Sequence, residues 1–314
     1  MPWKNGYTIT DEKSMEDESV EWPDNNQCAV GVVVDYSVPA GSDGIGPKDV
    51  QNNQAEFGAR VGIWRLFDLF AKYKIKATFA VPAVVAEIYP ESAEEIVKRG
   101  HEVAAHGYRH EDVTELDIKE EKTRLDATTQ ILADICGKKP EGWFSLPRQM
   151  DRYASGTVSP DTMNLLIDAG YEYMGNGMAD DIPHYWVTDF HTRRNILTLP
   201  YYYHFDDQFF LMFPPVGMGS GLENPMTLFQ NWKQEFDAQY KRGRYFSMTV
   251  HPFLIGWGNR LEILEKMIIH LTSFPAVWNP TGSECAAYWK TRYPASSYLK
   301  LNESIWKDYP GSLS

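Results

Sequence analysis

Residues Cys28 to Val34 read CAVGVVV, an apolar, β-branched run with no polar alternation, as expected of a strand covered on both faces. The run stops at Asp35, a Gly- and Pro-rich loop follows over 39–47, and from Phe57 onward Val61, Trp64, Phe67 and Phe70 recur at helical spacing. The same order repeats. Ala77 to Val81 predicts a strand and Glu91 to Arg99 a helix closed by Gly100; Glu102 to Ala105 predicts a strand and Thr114 to Cys136 a helix closed by Gly137. Further on, helices are predicted over Pro160 to Ala169 and Met226 to Lys241, and a strand over Tyr245 to Val250. Strand followed by helix, repeated, implies a parallel sheet with outer helices, so the expected class is α/β.

In such sheets the carboxyl ends of the strands gather on one rim, where ligands collect. Asp35, the pair His106 and His110, and His251 all stand immediately after predicted strands. The pair has the H-x-x-x-H spacing, with Gly107 permitting a sharp turn. If the turn is helical, both imidazoles share one face and can clasp one cation. The spacing by itself serves equally well for two solvated surface histidines. A carboxylate after a buried strand needs a hydrogen-bonding partner or a function, and Asp35 suits a turn cap as well as a base. His251 has the same placement, and Pro252 turns the chain away after it.

At 314 residues and 43% hydrophobic, the chain can bury one large core. Its formal charge of -13 comes without a dense Lys/Arg cluster, which leaves nucleic-acid binding without an electrostatic footprint. The first residues lack a basic start followed by an apolar stretch, and no later run approaches membrane-spanning length; no membrane association and a cytoplasmic location are expected. Cys28, Cys136 and Cys285 are too scattered for a disulfide framework or a thiolate metal site and are read as reduced, mostly buried thiols. The Trp-, Tyr- and Pro-rich stretch 183–215 predicts an ordered insertion able to wall a pocket.

Read together, the order Asp35, His106-x-x-x-His110 and late His251-Pro252 resembles the polysaccharide deacetylase superfamily (the NodB homology domain). FGARVGIWRLFDLFAKYKIKATFAVPA, GHEVAAHGYRHED, GWFSLP, SPDTMNLLIDAGYEYMGN and FSMTVHP carry the resemblance from Cys28 to Trp289. The segment LPYYYHFDDQFFLMF is similar to the branch of signal-less peptidoglycan-deacetylase-like, allantoinase-like and cyclic imide hydrolase-like proteins. The resemblance implies a distorted parallel (β/α) barrel over 28–292, flanked by an N-terminal extension (1–27) packed on it and a C-terminal tail (293–314). It implies His106 and His110 as metal ligands, Asp35 as catalytic base and His251 as acid.

Two places depart from the pattern. Where metal-binding members carry a second aspartate, this chain has Ser37, and the adjacent place used by secreted deacetylases holds Tyr36, so a divalent metal, zinc by resemblance, would have an incomplete ligand set unless Asp35 joins it. The arginine of the third motif is replaced by Phe144 and Ser145, with Arg148 nearby. The expected activity is hydrolysis of a carbon–nitrogen bond other than a peptide bond in a small amide, ureide or cyclic imide. Trp143, Arg148 and Tyr203 are candidate substrate contacts, joined by Trp257 as a further apolar wall. The alternatives are a metal-dependent N-deacetylase of an acetylated amino sugar and an inactive binding barrel. A homo-oligomer, dimer or tetramer, is also implied by the branch.

Overall fold

A computed structural model describes residues 15–148, 151, 156–189, 192–212 and 224–299. Among them lies one sheet of nine strands: β1 (Cys28–Asp35), β2 (Thr78–Val81), β3 (Glu102–Ala105), β4 (Gly142–Trp143), β5 (Tyr173–Gly177), β6 (His184–Asp189), β7 (Arg194–Pro200), β8 (Tyr245–Val250) and β9 (Val277–Trp278). The strand order is β6-β7-β5-β4-β3-β2-β1-β8, with β9 paired to β1. Every pairing is parallel except β6 with β7. Among the described residues no ladder joins β8 to β7 or to the edge strand β6. An isolated parallel bridge between Asp206 and Thr249 spans that side instead, so the sheet curls into the distorted (β/α) barrel that the sequence predicts.

The elements form where local chemistry dictates. β1 is buried along its whole length, matching its unbroken apolar run. The helix predicted from Thr114 begins at Ile118, because the Asp117 side chain accepts the amide hydrogens of Lys119 and Glu120; it ends at Cys136, where Gly137 turns left-handed at φ 73°. The helix Pro225–Arg242 likewise starts on the Asn224 side chain and a proline, and stops at Gly243. Helix Ile63–Tyr73 is preceded by a π-helical turn, Gly58–Gly62. That turn lies against the segment after β8 so closely that a Cβ at Gly62 would stand 2.1 Å from the Pro252 carbonyl oxygen.

Trp22, from the segment before β1, is buried against Tyr245, Trp278 and Trp289 and donates its indole N–H to the Gly243 carbonyl at 2.8 Å. Residues 1–14 and 300–314 of the two flanking segments lie outside the described residues. The three cysteines are free thiols; burial pushes Cys28 up to about 12 and Cys136 up to about 11. No helix among the described residues is long and apolar enough to cross a membrane.

Candidate active site

Because the strands run parallel, β1, β3 and β8 deliver Asp35, His106 and His251 to the same rim, and the loop after β3 adds His110. All four side chains are buried. The loop is not helical. Gly107 (φ 76°) and His110 (φ 56°) both take left-handed backbone, and this fold-back, rather than a helical face, sets the two rings 4.0 Å apart between centroids. Glu111 pins the loop by accepting the Arg109 amide at 2.6 Å while lying 3.2 Å from Arg124.

A backbone carbonyl only accepts hydrogen bonds, so each histidine's protonated nitrogen can be identified. His106 donates from Nδ1 to the Phe144 carbonyl (3.0 Å), and His110 donates from Nε2 to the Leu146 carbonyl (2.8 Å). The opposite nitrogens, His106 Nε2 and His110 Nδ1, are buried and make no hydrogen bond. Burial holds His110 well below the ordinary histidine range, which keeps its ring neutral.

Asp35 completes the group. Its Oδ1 accepts the Ser37 amide at 2.9 Å, and its Oδ2 stands 3.1 Å from His251 Nε2 and 3.5 Å from His106 Nε2. Burial works against its charge, but the His251 ring at Oδ2 opposes burial and holds the carboxyl well below the usual range. His251 is gripped from behind. Its Nδ1 donates to Asp207 Oδ1 at 2.7 Å, its backbone N–H donates to Asp207 Oδ2 at 3.0 Å, and Asp206 Oδ1 lies 3.6 Å from Nδ1. Burial would lower the His251 pKa; Asp35, Asp206 and Asp207 together raise it well above the ordinary value. Asp206, buried beside Asp207 with His251 opposing, is pushed up to about 7 and accepts from Tyr201 Oη (2.8 Å), the Gln208 amide (3.0 Å) and Gln208 Nε2 (3.1 Å).

Two donor sets on this rim could be considered for a divalent cation. Asp206, Asp207 and His251 bring ligand atoms within 4.8 Å of one another, a buried Asp-Asp-His group. Their oxygens already accept the hydrogen bonds just described, and two of those bonds orient His251. Asp35, His106 and His110 match the donor chemistry of zinc, although their ligand atoms do not all come within 4.8 Å of one another. Two buried nitrogens there lack partners, and the 3.5 Å from His106 Nε2 to Asp35 Oδ2 matches the roughly 3.4 Å between two ligands about 2.1 Å from a tetrahedral zinc. Ser37 contributes its amide to Asp35.

The other predicted residues stand apart from this cluster. Trp143 is buried, with its indole N–H on Ser145 Oγ (3.1 Å) and its ring edge-on to Tyr171. Arg148 is buried and committed to protein partners: the His110 carbonyl (3.2 Å), Thr157 Oγ1 (3.4 Å) and Asp151 Oδ1 (2.6 Å), with Asp112 at 3.5 Å. Its guanidinium therefore braces the histidine loop. Tyr203 is exposed next to Phe209, and Trp257 is half-exposed, stacked flat on Phe57 at 4.0 Å. Asp206 and Asp207 were not among the predicted site residues. The available signal was the pair of adjacent acids inside an otherwise aromatic stretch, HFDDQFF, where a charge has no reason to be unless it is bound.

Residues 56–174 match the family model described as polysaccharide deacetylase, a span that contains both histidines of the loop. The chain is 29% identical over 272 residues to the peptidoglycan deacetylase of Helicobacter pylori, covering 79% of this chain and 89% of that protein. It is 25% identical over 248 residues to a peptidoglycan deacetylase-like protein of Gibberella zeae, covering 71% and 72% of the two chains. Among solved structures, the PuuE allantoinase superposes with a TM-score of 0.75 over 90% of this chain and 95% of that one at 24% identity, a likeness of fold.

Proposed function

We infer that this chain is a polysaccharide-deacetylase-like hydrolase of carbon–nitrogen bonds, and propose that Asp35 is its base, His251 its acid, and a small amide, ureide or cyclic imide its substrate. The observation that carries the reading is the unbroken line Asp207–His251–Asp35 at 2.7 and 3.1 Å, which places a proton acceptor and a proton donor side by side on one rim. Nδ1 of His251 must bear hydrogen to meet the Asp207 carboxylate, and Nε2 must bear hydrogen to meet an ionised Asp35. The ring thus holds a proton to give.

Hydrolysis then divides between two residues. Asp35 takes a proton from water as the water oxygen bonds to the carbonyl carbon, and His251 Nε2 gives its proton to the departing nitrogen as the carbon–nitrogen bond breaks. Acid or base assistance of this kind contributes about 10²–10⁴-fold. Asp207 keeps the imidazole oriented for that transfer. The polysaccharide deacetylase family is generally metal-dependent, and His106 Nε2 and His110 Nδ1 would be ligands to a divalent cation, zinc being the natural choice for imidazole nitrogens; Asp35 Oδ2 would join them only by giving up its part as free base. When bound, the cation would supply Lewis-acid polarisation of the scissile carbonyl. Both histidines are oriented by backbone carbonyls, which spares them reorganisation on binding.

A small substrate is favoured because Asp35, His106, His110 and His251 are each no more than 5% exposed, leaving little room for the interior of a polymer. Deacetylation of an acetylated amino sugar is the second reading, favoured by the name of the Helicobacter pylori relative aligned along 89% of its length. The deciding experiment is elemental analysis of the purified chain, with hydrolysis of linear amides, ureides, cyclic imides and N-acetylated sugars measured before and after chelation. Turnover of the first three classes, lost on chelation and restored by zinc, supports the proposal. Turnover confined to acetylated sugars moves the assignment to the second reading, and no turnover of any class identifies a binding barrel.

A further inference from the structure

The ring partners of the two histidines, the Phe144 and Leu146 carbonyls, both belong to the strap that leaves β4. In an extended chain the carbonyls of residues i and i+2 point the same way and that of residue i+1 points oppositely. Ser145, between them, therefore presents its backbone away from the histidines. There it meets the carboxamide of Asn176, on β5: Ser145 N–H donates to Asn176 Oδ1 at 2.7 Å, and Asn176 Nδ2 donates to the Ser145 carbonyl at 2.7 Å. Asn176 is buried and Ser145 half-buried, so both bonds are partly shielded from water. A two-point bond fixes the rotation of the strap about its own axis, which a single bond would leave free.

We propose that Asn176 is a positioning residue for the histidine pair. Its carboxamide holds the Phe144–Leu146 strap in the one rotation that lets both flanking carbonyls receive a ring N–H, and so enforces opposite tautomers, Nδ1–H on His106 and Nε2–H on His110. Only that combination leaves His106 Nε2 and His110 Nδ1 bare. This inference rests on the reading that His106 and His110 act together as cation ligands, and it adds what sets their protonation. Asparagine suits the task because one planar group carries a donor and an acceptor at the spacing of a peptide's own N–H and C=O; aspartate keeps the acceptor and loses the donor.

The test uses the full-length chain with ¹⁵N-labelled histidine, stripped by chelation, comparing wild type with Asn176→Ala and Asn176→Asp. Long-range ¹H–¹⁵N correlation of the imidazoles reads each tautomer, with His106→Asn and His110→Asn supplying the assignments, and zinc titration reads affinity. Wild type is expected to show the two opposite tautomers. Both Asn176 variants should show mixed tautomers on at least one ring and bind zinc about 10- to 100-fold more weakly. Should Asn176→Ala fail to fold, the near-isosteric Asn176→Asp decides by the same two readings. Unchanged tautomers and zinc affinity in a folded variant would overturn the role of Asn176 while leaving the histidine site standing. Wild-type rings without fixed, opposite tautomers would overturn the arrangement of bare nitrogens itself.

Discussion

Asp207 binds His251 twice, taking the ring Nδ1–H on one carboxylate oxygen at 2.7 Å and the backbone N–H on the other at 3.0 Å. A carboxylate held by both the backbone and the ring of one residue cannot rotate without breaking one of the bonds, so the imidazole is locked in the plane that aims Nε2 at Asp35. Asp207→Asn retains an acceptor for only one of the two donors and presents an N–H to the other. We expect kcat to fall by about 10²–10⁴-fold with KM little changed, since the loss falls on proton delivery and not on substrate contact. Steady-state kinetics on the best amide substrate checks this; a comparable rise in KM would instead place Asp207 in binding.

Ser37 occupies the position at which the resemblance implies a metal-binding aspartate, and its amide already lies on Asp35 Oδ1. Ser37→Asp adds a carboxylate at a buried position next to Asp35. Without metal the added charge is desolvated and repelled by Asp35, so the apoprotein should melt at a lower temperature than wild type. With zinc the same charge becomes a ligand, and affinity should rise by at least about tenfold, or 1.4 kcal/mol. Thermal melts with and without zinc give both numbers. A variant that is destabilised equally in the two conditions would show that position 37 does not face the ion.

The residues on the rim were legible because a parallel sheet sends every strand's carboxyl end the same way, and Asp35, His106 and His251 each follow directly on a readable apolar run. β4 and β5 were not legible. Gly142–Trp143 is two residues long, and YMGNG carries two glycines that erase any strand signature. The turn between the histidines could not be read either, since left-handed backbone at His110 is imposed by Glu111, Arg124 and Arg148 from outside the motif. Asp207 and Asn176 act on partners 44 and 31 residues away, a relationship that no local periodicity encodes.

Arg148 joins the histidine loop to the segment after β4 through the His110 carbonyl, Asp151 and Asp112. Its side chain is 2% exposed, and that of Asp151 is 7% exposed, so this pair is not screened by solvent. Arg148→Met removes the cation and leaves the Asp151 charge buried. The expected loss is about 3–5 kcal/mol, the usual consequence of breaking a buried pair on one side. Arg148→Lys should recover only part of it, because an ammonium cannot span three partners with a planar fork. Urea denaturation midpoints measure both. Equal stability of all three proteins would show the contacts to be incidental.

Glu102 offers a pH test at the opposite end of the barrel, at the start of β3. Its side chain is half-buried and accepts from Tyr173 Oη (3.0 Å), Thr78 Oγ1 (3.1 Å) and the Ser283 amide (2.9 Å). Burial raises its pKa above the ordinary 4.5 despite those three donors. A carboxyl whose folded pKa is raised contributes stability that is fully present below its unfolded pKa and is lost as pH rises through the folded one. Unfolding free energy should therefore carry a component that declines with pH from about 4.5 upward and levels off once Glu102 is ionised in the folded chain. Glu102→Gln removes this component, since a glutamine can accept the Ser283 amide and Thr78 hydroxyl on its oxygen while its NH₂ meets the Tyr173 hydroxyl. The difference in stability between variant and wild type, measured by urea titration at a series of pH values, should move steadily in favour of the variant across that interval and be constant above it. A difference independent of pH would mean that Glu102 is as readily ionised in the folded chain as in the unfolded one, and that its three donors fully offset its burial.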